Sequence, residues 1–358
     1  LITSKKMLPQ KGLKLVVKVS KSLTFEILGH KIAAGFRKSI RLEVVHPHYD
    51  SPSSIPIEII NGKKVGPVLM VSAAVDGSEL NGVEIVRKLV NTIDTNNLRG
   101  TLIAVPFVNV LELVRKPLYM LKSGSLSNVF PGNCKGSLAS RVAYSFFSNV
   151  VERCDYILDL RTASVNKTSL PQIRANLANK ETLRIAEAFA TPVIIDSRKR
   201  DGSLRSVAEN LGIPTLTFEA GEALRFEQVI VRTGFLGVTR LMRSIGMLRI
   251  SRKKVPPSVI VKKTSWVNAD CEGILRTFVN VGDRVEKGEI LAYISCPLGC
   301  NGRAIVAKSD AIVIGKSLLP LVQENDAVIN LAFLSDDSLE VEYVGETCID
   351  DIPRFGIN

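Results

Sequence analysis

The sequence predicts an α/β fold, a sheet flanked by helices, followed by a small all-β domain. Two observations carry this expectation. From Pro67 to Leu248, short apolar runs alternate with segments of helical period, the pattern that builds an α/β sheet. After Pro256-Pro257 the pattern changes to short strands punctuated by glycine turns, which marks a linker and a second unit. The expected organisation is therefore residues 1–252 as an α/β domain with N-terminal strands, 253–335 as a C-terminal β domain, and 336–358 as an acidic tail.

In chain order, residues 1–64 carry short β-like runs at Leu13 to Val19, Leu23 to Leu28, Ile40 to Val45 and Ile55 to Ile60. Asn61-Gly62 then gives a hairpin signal. The central stretch is Pro67 to Arg87. Its apolar run, Val68 to Val75, stops at Asp76-Gly77-Ser78-Glu79, and Val83, Val86, Leu89 and Val90 follow at helical spacing. Asp76 and Glu79 thus stand at the carboxyl end of a buried strand, where ligand crevices of open α/β sheets lie. Further strands are expected at Leu102 to Val108, Tyr156 to Leu160, Val193 to Ile195 and Thr215 to Glu219. Helices are expected at Ser137 to Arg153, Glu181 to Phe189, Leu204 to Leu211 and Gln228 to Leu248.

Composition narrows the partners. The 358 residues carry a net charge of +12, and Arg240 to Lys263 holds eight basic residues and no acidic one, whereas Asp336 to Asp351 is acidic. Without a nucleic-acid motif or interleaved aromatics, a solvated basic face is the better reading than a nucleic-acid site. No apolar run is long enough to span a bilayer, so a cytoplasmic protein away from membranes is expected. Six cysteines are scattered, with only Cys296 and Cys300 close together, and reduced thiols are expected. The three histidines, His30, His46 and His48, all precede the central strand. None reaches a metal site at the strand ends unless the N-terminal segment folds over it, so all three are expected to be surface residues.

Five motifs along the chain resemble the succinylglutamate desuccinylase and aspartoacylase family, zinc hydrolases related to the zinc carboxypeptidases. Asp76-Gly77-Ser78-Glu79-Leu80-Asn81-Gly82 stands where that family has His-Gly-Asp/Asn-Glu-Leu-x-Gly. Ser125-Leu126-Ser127-Asn128-Val129-Phe130-Pro131-Gly132 stands for Asp-Leu-Asn-Arg-x-Phe-Pro-Gly, and Asp159-Leu160-Arg161-Thr162 for Asp-Leu-His-Thr. Ile103 to Asn109 resembles the strand ending in Pro-x-x-Asn, and Thr217-Phe218-Glu219-Ala220-Gly221 carries the catalytic glutamate position. The resemblance implies a zinc-carboxypeptidase-like sheet. It also implies a zinc site at Asp76, Glu79 and Arg161, a general base at Glu219, and a substrate-carboxylate grip at Ser127 and Asn128.

The departures decide the function expected. Asp76 and Arg161 replace both histidine ligands, and a guanidinium stays protonated and has no lone pair to give a metal. Ser127 and Asn128 replace the Asn-Arg pair and lose its cation. Charge balance predicts Arg161 in the metal position, in contact with Asp76, Glu79 or both. The expectation is a zinc-free, non-hydrolytic family member that binds a small molecule or a protein partner. The alternative is a metal-dependent deacylase acting on N-acyl amino acids or related amides, so enzyme status stays open and a pseudoenzyme is favoured. The run Gly273 to Ile294 resembles the biotinyl/lipoyl-type half-barrel, but Cys296-Pro297-Leu298-Gly299-Cys300 holds no lysine to carry a group. No cofactor is expected, zinc entering only with the hydrolase alternative, and homo-oligomerisation is left open.

Overall fold

A computed structural model describes residues 23–45, 53–114, 125–197, 201–251, 254–298 and 302–334. The first expected strand, Leu13 to Val19, lies outside these residues, as do His46, His48 and the acidic tail.

A 13-stranded sheet runs through the described chain. Its middle is parallel and consists of β5 (Lys64–Ala73), β6 (Arg99–Val105), β7 (Tyr156–Arg161) and β10 (Thr215–Gly221). These pair in the order β6-β5-β7-β10, with β5 between β6 and β7. β5 and β6 are buried on both faces over most of their length, which explains their long apolar runs, whereas β7 and β10 interleave polar residues. Beyond β6, β4 (Ser53–Asn61) and β3 (Arg37–Val45) add antiparallel strands. A separate two-stranded hairpin, β1 (Phe25–Ile27) and β2 (His30–Ile32), precedes them.

Two apolar cores cover the two faces. α3 (Leu138–Asn149) and α5 (Leu204–Asn210) contribute Phe146, Val142, Leu204 and Ala208 to one. α1 (Leu80–Thr92), α4 (Lys180–Phe189) and α6 (Gln228–Ser244) contribute Ile85, Phe189 and Val238 to the other. Helix starts follow the sequence: Ser137, Asn179 and Ser203 cap α3, α4 and α5 with their side-chain oxygens. A short helix α2 (Val110–Val114), which the periodicity did not indicate, follows β6.

Two sequence expectations change. Asn61-Gly62 does not close a hairpin, because β4 and β5 are not neighbours; β6 lies between them. The Asn61 side chain instead donates to the Leu23 and Ile32 carbonyls and accepts from Thr101. Gly62 lies against the Leu98 carbonyl, leaving no space for a Cβ. Second, residues 167–175, to which no element was given, form strand β8 (Lys167–Ala175), antiparallel to β10. Pro171 within the run argues against a strand by propensity, yet β8 has partners on both sides, β10 and then β17 (Ala311–Ser317) and β9 (Val193–Asp196).

The C-terminal strands do not stand apart from this sheet. β11 (Val259–Val261) pairs with β9, and β17 (Ala311–Ser317) pairs with β8 through Gly315 opposite Ser169. β19 (Ala327–Phe333) and β12 (Thr264–Asn268) follow outward from β17, with which the short β14 (Arg284–Val285) also pairs. A four-stranded sheet, β16 (Arg303–Val306), β15 (Ile290–Ser295), β13 (Gly273–Thr277) and β18 (Leu321–Val322), packs with them around Leu275, Leu291 and Val313. Cys296 is disulfide-bonded, contrary to the expectation of reduced thiols throughout. It follows β15 directly, and a disulfide forms wherever the fold brings two sulfurs within bonding reach, which sequence spacing alone does not reveal. Among the described residues no helix is long and apolar enough to cross a membrane.

α1 lies close on the sheet because Gly82 has no side chain. A Cβ there would stand 2.9 Å from the Ala73 Cβ and 3.0 Å from the Leu160 Cβ. Gly82→Ala should therefore destabilise the protein by about 1–3 kcal/mol through overpacking, although alanine favours helix by about 1 kcal/mol. A urea unfolding midpoint no lower than wild type would contradict this packing account.

Candidate functional site

Strand register sets the site. Asp159 and Arg161 on β7 lie opposite Thr217 and Glu219 on β10. Glu219 and Thr217 in turn lie opposite Gln172 and Arg174 on β8. Because side chains alternate across a strand, these six residues share one face. The turn after β5 brings Asp76 and Glu79 beside it.

Arg161 is the hub. Its Nε donates to Asp159 Oδ2 at 2.7 Å, and its Nη1 donates to Ser127 Oγ at 2.8 Å. The same Nη1 lies 3.5 Å from Asp76 Oδ2 and 3.9 Å from Glu79 Oε1. The contact expected from charge balance is thus present with both carboxylates. Ser125 and Ser127 each donate to Asp76, at 2.7 and 2.6 Å, so both its oxygens are engaged. Ser72 donates to the second oxygen of Asp159 at 3.1 Å. Asp76 N–H donates to Glu79 Oε2 at 3.1 Å.

The electrostatics follow from burial. Glu79 is 4 % exposed, and that burial pushes its carboxyl well above the ordinary carboxylate range. Arg161 opposes the shift, while Asp76 and Asp159 add to it. Burial also works against the Arg161 charge, but Asp159, Glu79 and Asp76 together outweigh it and hold the guanidinium protonated.

Glu219 belongs to a second network. It accepts from Ser169 Oγ and Gln172 Nε2, both at 3.0 Å, and from Arg174 Nε at 3.1 Å. All three donors sit on β8. Behind them, Arg205 on α5 donates to Ser197, and burial lowers its affinity for a proton, with Arg174 and Arg161 adding repulsion. Asn128 is exposed and joins neither network. Glu112 on α2, not foreseen from the sequence, accepts from Gly77 N–H at 2.5 Å and braces the turn. His30 contacts Lys38 in the N-terminal hairpin, away from the site. Cys154 is a packed thiol donating to the Val150 carbonyl, and burial pushes its pKa up.

The residues present do not fit a divalent metal. Among the described residues no three His, Cys, Asp or Glu side chains gather as ligands. The corner where Asp76 and Glu79 converge already receives a guanidinium, which repels a cation and supplies no lone pair.

A helix-flanked mixed sheet with this polar cluster at its strand ends matches the desuccinylase/aspartoacylase fold. The succinylglutamate desuccinylase/aspartoacylase catalytic domain matches residues 65–245, and the chain belongs to that family. The N-alpha-acetyl-L-2,4-diaminobutyric acid deacetylase of Halomonas elongata is 21 % identical over 253 residues, covering 67 % of this chain and 73 % of that protein. Among solved structures, the product-bound ectoine utilization protein EutE (DoeB) from Ruegeria pomeroyi superposes with a TM-score of 0.73 at 20 % identity, covering 84 % of this chain and 95 % of its own. A succinylglutamate desuccinylase/aspartoacylase from Rhodobacter sphaeroides gives 0.72 at 22 % identity, with 84 % and 96 % covered. At these identities the two structures establish the fold.

Arg161 is 18 % exposed in its side chain. Arg161→Met should cost about 3–5 kcal/mol, because buried carboxylates lose their counter-charge. Chemical denaturation within about 1 kcal/mol of wild type would show the network to be superficial. Glu79 gives a pH test. Its folded pKa is raised, so the folded state holds the proton longer, and stability falls as pH climbs from about 4.3 toward that folded value. Glu79→Gln cannot ionise, so its stability relative to wild type should rise across that window, by up to about 1.4 kcal/mol per pH unit. A variant-minus-wild-type difference independent of pH would contradict the assignment.

Proposed function

We propose that this chain is a non-hydrolytic, zinc-free member of its family, a pseudoenzyme that binds a small molecule or a protein partner at the polar face of β7, β10 and β8. The observation that carries the reading is the Arg161 guanidinium set among Asp159, Asp76 and Glu79. Amide hydrolysis in such a fold needs a metal to lower the pKa of water from about 15.7 to about 7. It also needs a carboxylate free to take that proton. Here a fixed cation faces the metal-ligand positions Asp76 and Glu79. Glu219, at the general-base position, is tied to three donors on β8. Ser127 and Asn128, at the substrate-grip positions, offer no cation, and Ser127 is spent on Asp76 and Arg161.

The same reading takes residues 1–252 as the α/β domain and 253–335 as a β domain of biotinyl/lipoyl type that carries no attached group. It includes a cytoplasmic location. The second reading, a metal-dependent deacylase of N-acyl amino acids, is favoured by the names its relatives carry, a deacetylase and a succinylglutamate desuccinylase.

Metal analysis of untagged protein, paired with turnover assays on N-acetyl- and N-succinyl-amino acids, separates the two. The proposal expects far less than one zinc per chain and no turnover above the Glu219→Gln background. Stoichiometric zinc, with zinc-dependent turnover that Glu219→Gln abolishes, would establish the deacylase instead.

A further inference from the structure

α6 presents an outward stripe on the face of the sheet opposite the Arg161 network. Leu160 and Phe218, which alternate with Arg161 and Glu219 along β7 and β10, pack beneath α6 and its neighbours. Ile230, Val238 and Leu241 of α6 face that core. Val229, Arg232, Leu236, Arg240 and Arg243 follow one another at steps of three and four residues, so they line the outer side of the helix as one stripe. None of the five is buried.

The stripe is basic and apolar at once. α6 has three arginines and no carboxylate, and from Gln228 to Lys263 the chain carries nine basic residues and no acidic one. Val229 and Leu236 are exposed beside the arginines. α6 packs between α1 and α4. Lys88 on α1 widens the stripe, its ammonium lying 5.1 Å from the centre of the Phe235 ring. On the neighbouring helices Arg87 binds Glu84 and Arg184 binds Glu181, so these two carboxylates do not neutralise α6. Together the three helices carry seven basic residues and three acidic ones, which leaves the layer net positive.

We propose that this helical layer is a peripheral docking surface for an anionic phospholipid bilayer. Two properties select a bilayer from among anionic partners. Val229 and Leu236 gain from contact with acyl chains, whereas a phosphate backbone offers them nothing. α6 also has a helix on each side, so it presents a broad layer and cannot enter a nucleic-acid groove about 12 Å wide. A bilayer matches such a layer, with guanidiniums at the headgroup phosphates and the two apolar side chains at the acyl boundary. The contact is peripheral, because among the described residues no helix is long and apolar enough to cross a membrane. With α6 on the lipid, the Arg161 network lies on the side of the sheet turned away from it.

The test is co-sedimentation of the full chain with vesicles of phosphatidylcholine alone or of phosphatidylcholine with phosphatidylserine. Binding is expected only to the vesicles that contain phosphatidylserine. It should weaken as salt shortens the Debye length from about 10 Å at 0.1 M to about 3 Å at 1 M. A basic residue near an anionic membrane is worth about fivefold in affinity, so Arg232→Gln with Arg243→Gln should weaken binding by about 25-fold. Leu236→Asn should weaken binding at every salt concentration, since the contact it removes is apolar. Lys287→Gln with Lys308→Gln takes the same charge from exposed positions of the β domain. That pair should leave affinity within about twofold of wild type. Urea unfolding midpoints equal to wild type confirm that each variant is folded. No binding to phosphatidylserine vesicles would overturn the proposal. So would equal weakening by the two charge-removing pairs, which marks adsorption through net charge alone. Tighter binding to a DNA duplex than to vesicles, lost with Arg232 and Arg243, would make the layer a nucleic-acid surface instead.

Discussion

One buried guanidinium organises the α/β site. Three carboxylates, Asp76, Glu79 and Asp159, crowd the carboxyl ends of β5 and β7, and like charges at such range repel one another. Arg161 offsets them with a fixed charge: a direct bond to Asp159, a shared serine to Asp76, and a longer contact to Glu79. Burial holds the Glu79 carboxyl well above the ordinary range, so the pocket favours its neutral form more than water does. In a metal-binding relative a divalent ion would do the same work. Here the counter-charge is part of the backbone-anchored sheet and does not dissociate.

The second network has the same logic on the next strand pair. Glu219 is charge-balanced by Arg174 and hydrogen-bonded by Ser169 and Gln172, all carried by β8. β8 is also the strand on which the C-terminal module docks, through Gly315 opposite Ser169. The residue that donates to Glu219 is thus the residue paired with β17. The register thus connects the packing of the C-terminal strands to one of the three donors that hold Glu219.

Much of this was legible in the sequence, for physical reasons that differ by element. The strands β5 and β6 are buried on both faces, so their apolar runs are long, and Leu158, Leu160, Leu216 and Phe218 mark β7 and β10 between their polar residues. The helices over them carry clear caps and periods. The Arg161 contact followed from charge conservation around retained carboxylates. What stayed hidden was β8, because Pro171 interrupts its propensity and tertiary pairing on both sides overrides it. With β8 went the partners of Glu219, since Ser169, Gln172 and Arg174 look like scattered polar residues until the strand exists. Asn61-Gly62 misled in the opposite way: a local hairpin signal was overruled by insertion of β6 between β4 and β5. The disulfide at Cys296 depends on which sulfurs the fold brings together, which composition does not encode.

The most direct measurement is anomalous X-ray diffraction at the zinc absorption edge, on crystals of the untagged protein soaked in millimolar zinc. The account predicts no anomalous peak among Asp76, Glu79 and Asp159, with the Arg161 guanidinium remaining between them. A zinc peak bound by Asp76 and Glu79, with Arg161 swung out to solvent, would contradict it.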